Sequence, residues 1–417
     1  MERYGTLRSK YSDLHNNKIK WMFILLMISS VTDGITQGIL LLQEKIAQNP
    51  LKSSDLDITV ISIIASATII FSLLFTVLYS GKSKKKLLVW GYIIGRFIFL
   101  FSFVINYSAV YLVFLFFYHS VFAIQFPVTN SFFPYFFKER SGLYFGIVRS
   151  ILMFSMMITS LLVGKLLDFN PSMFKWILSI IAVASLLTYG VFYYIESKVD
   201  YTELKGTKPV TFKISMTSIF KNTDFIVFEI IFMIYGFAYM ISMPTVNLFM
   251  LNVLKLSTVE MANAKGIYAQ LFIILTMPYA GRIFDRINIW KVGAISFGIL
   301  ILYPLFFILS DVSISKIYAY LGLACYSLGL SGIGILWNLG TIKFSTKENE
   351  LIYQGFHQTL TGIRGFIGPL LGYYLLLQFG YNLNFYMALI LFLIATVWSG
   401  GIYIKQKMCR QFKELRK

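Results

Sequence analysis

Charge is what this sequence has least of. Only 13% of its 417 residues are Asp, Glu, Lys or Arg, against about 25% in a water-soluble domain. With 57% hydrophobic residues and a mean hydropathy of +0.71, the chain cannot cover itself with a polar surface, so lipid is its expected solvent. Cysteine is nearly missing. The two present, Cys325 in an apolar run and Cys409 in a basic tail, exclude a disulfide framework. Histidine numbers three, and His15 lies in the polar N-terminal segment. No metal-ligand spacing, nucleophile elbow or Walker loop occurs. The glycine-rich run 329–340 lies inside an apolar stretch with no strand before it, so it is no phosphate loop. The expectation is a protein that is not an enzyme and holds no cofactor or metal.

What the sequence does have is twelve apolar runs, each near the roughly 20 residues of helix that a bilayer core requires. They fall at 21–42, 58–79, 87–105, 110–133, 142–166 and 174–195, then at 225–248, 258–280, 292–309, 317–342, 351–375 and 384–404, and are numbered spans 1 to 12. Most are continuously apolar rather than alternating, which favours helices over barrel strands. The first 20 residues are polar and span 1 is long enough to cross, so span 1 reads as a retained helix and not a cleaved signal. A net charge of +18 would point to nucleic acid in a soluble protein, but here the basic residues sit in short loops. With the N-terminus placed inside, 27 Lys and Arg fall on inside segments and 6 on outside ones. That asymmetry predicts cytoplasmic termini and a bacterial-type inner or plasma membrane. No nucleic-acid partner is expected; a monomer in the lipid bilayer is.

The one long polar run between spans is 196–222, at the middle of the chain. It predicts a six-helix half at 1–195, a cytoplasmic central loop at 196–222 and a second six-helix half at 223–417. The halves echo one another. A shift of 208 residues carries Asn130 onto Asn338, Gly164 onto Gly372 and Arg149 onto His357. Both halves start on the same side, so an axis along the membrane normal relates them.

At this point the chain resembles the major facilitator superfamily of secondary transporters. Gly281-Arg282-Ile283-Phe284-Asp285-Arg286, between spans 8 and 9, is similar to that family's G-x-x-x-D-R loop. The lead-in 219–225 to span 7 is also similar. The first-half copy, Gly81-Lys82-Ser83-Lys84-Lys85-Lys86, has Ser83 where the family usually has Asp, and Gly164 lacks the Pro of the antiporter signature. Gly368-Pro369 occurs in span 11 instead. The resemblance implies an all-α membrane fold of twelve transmembrane helices in two pseudo-symmetric six-helix bundles. It implies that spans 1, 4, 7 and 10 line a cavity, that 2, 5, 8 and 11 join the halves, and that 3, 6, 9 and 12 are peripheral. It also implies a gate loop of Gly281, Asp285 and Arg286, with Asp285 near the N-terminus of span 5, where a carboxylate is favoured by about 0.3–1 kcal/mol.

Ionisable groups inside spans are costly and mark candidate sites. Asp33 lies about 18 Å into span 1 at 1.5 Å per residue, and Ser29, Asp33 and Gln37 share one helix face. It reads either as a proton or substrate site or as a carboxylate paired with a neighbouring Arg. Glu229, one turn into span 7, reads as a snorkelling or gate residue. Arg96, on span 3, reads as a structural ion pair. Arg149, Lys265, His357 and Arg364 fall on helices that the resemblance puts at the cavity or its sides. His357, Thr361, Arg364 and Gly368 repeat along one face of span 11. Further substrate or coupling candidates are His119 and Asn130 in span 4, Tyr235 and Tyr239 in span 7, and Asn338 with Trp337 in span 10. Lys265, Ala269, Phe272 and Thr276 share a face of span 8, and Pro127, Pro244, Pro278 and Pro304 are kink candidates. The expectation is a symporter or exchanger working by alternating access on a small solute, an organic anion or sugar-like compound, with H+ or another coupling ion. An exporter of amphipathic compounds is the alternative, and a non-transporting membrane sensor a remote one.

Overall fold

The structure is a computed structural model and describes residues 2–79, 82–199, 212–346 and 349–415. Gly81, Lys347 and 200–211 of the central loop lie outside the described residues, as does the side chain of His15. Among the described residues there is no strand, and twelve helical spans are long and apolar enough to cross a membrane. They run Ile19–Gln48, Asp55–Leu78, Lys85–Val104, Ser108–Phe137, Ser141–Phe169, Pro171–Glu196, Thr223–Val253, Thr258–Arg286, Ile289–Ser313, Lys316–Lys343, Glu350–Phe379 and Tyr381–Gln411. The odd-numbered spans start at one face of the molecule, called the near face below; the even-numbered ones start at the opposite face.

Local chemistry sets the span boundaries. Ser54 and Asp57 form a reciprocal capping box at the start of span 2, and Ser257 and Glu260 form one at the start of span 8; each satisfies two backbone N–H groups that the helix leaves without partners. The Asn222 side chain accepts from Phe225 N–H at 3.1 Å and caps span 7. Proline lies inside the helices at Pro127, Pro134, Pro244, Pro278 and Pro369. Pro304 differs from the expected kink within a helix. It sits in the first turn of Leu302–Ser313, just past a break at Ile301, where its missing N–H costs nothing. Span 1 is longer than its apolar run. A turn at Leu41–Leu42 leads into Gln43–Gln48, which carries Glu44 and Lys45 into the protein interior. Two π-helical stretches, Phe249–Val253 and Asn263–Tyr268, flank the connection between spans 7 and 8.

The two six-helix bundles pack mainly through spans 2 and 11 and spans 5 and 8. Small residues allow close approach there. A Cβ built on Gly281 would lie 2.6 Å from the Gly142 carbonyl carbon, and one on Gly365 would lie 2.6 Å from Ser66 Cβ. Large apolar side chains such as Trp90, Leu162, Trp176 and Leu377 are exposed on the outer surface, the arrangement of a protein solvated by lipid.

Candidate functional site

The interior charges form four groups, each held by more than one span. The first joins spans 1, 3 and 4. Asp33 and Arg96 are fully buried, with Nη1 of Arg96 3.3 Å from Oδ1 of Asp33. Oδ2 of Asp33 accepts from Gln37 (2.8 Å) and Gln125 (3.0 Å). Arg96 also donates to Thr36 Oγ1 at 2.9 Å and to Gln125 Oε1 at 3.0 Å. Its guanidinium lies 4.1 Å from the ring centre of Tyr118 and 4.9 Å from that of Phe122. Span 3 therefore delivers a core residue, although the resemblance places it at the periphery. Gln125 escaped the sequence reading because it stands one position off the polar face read in span 4.

The second group surrounds Arg149. A cavity of about 40 Å³ is lined by Ser29, Asp33, Gln125, Phe126, Asn130 and Arg149. Arg149 makes no hydrogen bond or ion pair to another described residue. At the rim of the cavity the bundles touch through Asn130, whose Nδ2 donates to Asn338 Oδ1 at 2.9 Å. Beside it the Trp337 ring meets Phe126 edge-on at 5.1 Å, and Trp337 Nε1 donates to Thr361 Oγ1 at 3.1 Å.

The third group lies between spans 7 and 11. Nδ1 of His357 is 2.9 and 3.0 Å from the two carboxylate oxygens of Glu229, and both side chains are buried. The snorkelling expected of Glu229 does not occur, because its carboxylate turns inward to the imidazole. Further along span 11, Arg364 donates to the Phe232 carbonyl and to Thr361 Oγ1 at 3.1 Å. Its side chain passes over Gly236, where a Cβ would strike the guanidinium, and its Cζ lies 5.7 Å from the centre of the Tyr235 ring.

The fourth group spans the bundles toward the opposite face. Lys265 Nζ is 2.7 Å from Glu44 Oε2, and Asn247 donates to Glu44 Oε1 at 3.2 Å. Lys45 donates to the Leu256 carbonyl at 3.0 Å. His119 Nε2 and Gln43 Oε1 are 3.1 Å apart. A cavity of about 200 Å³ lies beside them, lined among others by Glu44, Lys265, Asn247, Tyr239, Tyr303 and Tyr326, with Tyr239 stacked on Tyr326 at 5.4 Å. Glu44 is thus a second deeply buried carboxylate beside Asp33. Glu44 was missed because it follows the end of the apolar run.

At the near face, Asp285 accepts from the backbone N–H groups of Gly142 (2.9 Å) and Leu143 (3.0 Å) in the first turn of span 5. Gly281 packs its backbone on Gly142 in the same crossing, while Arg286 is exposed. In the first-half loop, Lys84 N–H donates to Glu196 Oε1 at 2.7 Å. Among the described residues no group of three His, Cys, Asp or Glu is placed to hold a metal ion.

Two six-helix bundles meeting over buried charges and small cavities define a multi-pass integral membrane protein with a transporter fold. The chain belongs to the Major Facilitator Superfamily, whose family model matches residues 22–350. None of the curated proteins compared matches it. Among solved structures it is similar to the human organic anion transporter MFSD10 (TETRAN), with a TM-score of 0.64, 13% identity, and coverage of 91% of this chain and 99% of that one. It is also similar to a point mutant of the nucleoside transporter NupG, with a TM-score of 0.62, 16% identity, and coverage of 92% and 100%. A mutant of the E. coli fucose:proton symporter FucP aligns with a TM-score of 0.57, 12% identity, and coverage of 92% and 98%. At these identities the likeness is one of fold.

Proposed function

We propose that this protein is a secondary transporter of a small organic anion, working by alternating access between its two bundles. The observation that carries this reading is Arg149. It faces a cavity between spans 1, 4 and 5 and forms no hydrogen bond or ion pair with a carboxylate among the described residues; Asp33, on the same cavity, is within electrostatic reach but is paired with Arg96. Two other interior cations are matched: Arg96 by Asp33 and Lys265 by Glu44. Arg364 is bonded only to neutral oxygens. Arginine suits carboxylates and phosphates because its planar fork binds them through two parallel hydrogen bonds. An anionic solute would offset the desolvation of such a cation, which otherwise costs several kcal/mol. One protein of similar fold is an organic anion transporter, which is compatible with this reading.

In this reading the halves 1–195 and 223–417 move as units joined by the central loop 196–222, with the near face in the cytoplasm. The concentration of 27 Lys and Arg on that side, against 6 on the other, supports the orientation. Asp33, held by donors from spans 1, 3 and 4, keeps span 1 in register with spans 3 and 4. Asp285 and Gly281 hold the near face shut, and the Glu44–Lys265 pair holds the opposite one. Transport is powered by an ion gradient or by exchange.

The test is ligand stabilisation of the purified protein across carboxylates, sugar phosphates, neutral sugars, nucleosides and lipophilic cations. Stabilisation by an anion that is lost in Arg149→Gln supports the proposal. Stabilisation by a neutral sugar or nucleoside that survives this substitution moves the site to the tyrosine-lined cavity. That cavity favours a second reading, a hydroxyl-rich solute stacked on Tyr239 and Tyr326. Stabilisation by lipophilic cations alone would make the protein an exporter of amphipathic compounds.

A further inference from the structure

We infer that Glu229 and His357 form the proton-binding site of this transporter, and that a proton bound there favours binding of the anion. The second half of this inference rests on the anion reading above; the first does not. The mechanism so far leaves the pair unused, although its placement is unusual. A carboxylate and an imidazole face each other between spans 7 and 11, with the imidazole closed off from solvent. Both carboxylate oxygens converge on Nδ1, so with Glu229 ionised Nδ1 is the donor. The other ring nitrogen, Nε2, is buried and has no hydrogen-bond partner among the described residues. Phe228, Phe232 and Trp337 surround the ring.

An Nε2 without a partner is unfavourable in either protonation state. As a lone pair it lacks a donor, and as N–H it lacks an acceptor. A ring serving only to bind Glu229 could be any donor of that shape. A histidine adds an atom that takes up and releases a proton near neutral pH. In this conformation that atom is occluded, so a proton already bound stays until spans 7, 10 and 11 rearrange. Retention during the conformational change is what coupling requires.

The charge balance gives the sign of the coupling. With neutral His357 and ionised Glu229 the pair carries one negative charge. One proton from water, taken up on Nε2, makes it neutral. An N–H bond forms as an O–H bond of hydronium breaks, and on release that N–H bond breaks and the proton returns to water. Along the pair's own helices the flanking titratable groups are Asp224 and Tyr235 on span 7 and Glu350, Tyr353 and Arg364 on span 11, with Lys343 at the end of span 10, and Arg364 is within electrostatic reach of Glu229. Spans 2, 9, 10 and 12 carry no charged residue through 58–79, 292–309, 317–342 and 384–404. Before protonation the pair offsets Arg364. Afterwards Arg364 joins Arg149 as an uncompensated cation, and the interior favours an anion more strongly. Thermodynamic reciprocity makes the anion favour the proton equally. A material link exists as well. Thr361 Oγ1 accepts from both Trp337 and Arg364 and donates to the His357 carbonyl, and Trp337 packs on Phe126 at the Arg149 cavity.

The experiment uses the full chain in lipid nanodiscs with 15N-labelled histidine. Only three rings are present, so His15→Gln and His119→Gln identify the His357 signals. Between about pH 5 and pH 9, spanning the ordinary histidine range, the His357 nitrogens are expected to pass through one titration. In Glu229→Gln the midpoint moves by more than about one pH unit, the scale set by a neighbouring opposite charge. A native ring that holds one protonation state throughout overturns the proton site without recourse to any variant, as does a midpoint that ignores Glu229→Gln. The second arm measures stabilisation by benzoate, lactate and a sugar sulfate, whose own charges stay fixed over this range. For an anion that needs Arg149, affinity should rise on acidification by up to about tenfold per pH unit, the limit for one linked proton, and lose this slope in Glu229→Gln. Titration without anion binding upholds the proton site and overturns the anion reading. Anion binding that ignores pH overturns the coupling.

Discussion

Replacing Asp33 by Asn removes one charge from the Arg96 network and almost no volume. Breaking a buried ion pair by removing one partner costs about 3–5 kcal/mol, because the other charge is left uncompensated. Here that charge has company. Arg96 keeps its bonds to Thr36 and Gln125 and lies against Tyr118 and Phe122; cation–π attraction in a desolvated site offsets about 2 kcal/mol. The expected loss for Asp33→Asn is therefore about 1–3 kcal/mol by these two terms. Arg96→Gln should lose more, about 3–5 kcal/mol, since it strands the carboxylate and empties the aromatic cage. The double variant should be more stable than the sum of the two losses predicts, by about 0.5–3 kcal/mol of coupling. Reversible unfolding in mixed detergent micelles measures all four proteins. Strict additivity, or an Asp33→Asn variant as stable as the native chain, would refute the assignment of Asp33 and Arg96 as one energetic unit.

Other perturbations have equally definite outcomes. Gly281→Ala forces a Cβ into the Gly142 backbone, so spans 5 and 8 must separate. In a background lacking Cys325 and Cys409, a cysteine at Thr129 should label faster from the near face; unchanged labelling would show that the crossing is no barrier. Asp285→Asn removes the charge facing two N–H groups of span 5 and should raise the same labelling by about 5- to 30-fold, the effect of about 1–2 kcal/mol. Glu44→Gln should open the opposite face to labelling of a cysteine at Met243. The exchange Glu44→Lys with Lys265→Glu should restore closure, and failure to restore it would mean that shape rather than charge holds the contact.

The twelve spans and the end-to-end charge asymmetry were legible because bilayer thickness and loop charge act on the sequence directly. A run of about 20 apolar residues has one stable solution in lipid, a hydrogen-bonded helix. The equivalent positions Asn130 and Asn338 were legible from the repeat alone, yet nothing in one dimension requires their side chains to meet. Partner choice was not legible. Asp33 had several basic groups to select from, and the crossing of spans 1, 3 and 4 brings Arg96 and Gln125 to it. Glu44 was hidden by a boundary. Hydropathy ends span 1 near Leu42, whereas the turn at Leu41–Leu42 returns Gln43–Gln48 to the interior, where Lys265 awaits it on a π-helical stretch. Glu229 looked peripheral because depth was counted along the helix, and burial depends on what packs beside it. By itself the sequence determined how many helices cross, where they start and which loops carry the positive charge, since those follow from transfer of residues into lipid one helix at a time. Only the tertiary structure decided which interior charges neutralise one another and which, like Arg149, are left facing a cavity, because Coulomb and hydrogen-bond energies act over a few ångströms between helices distant in the chain.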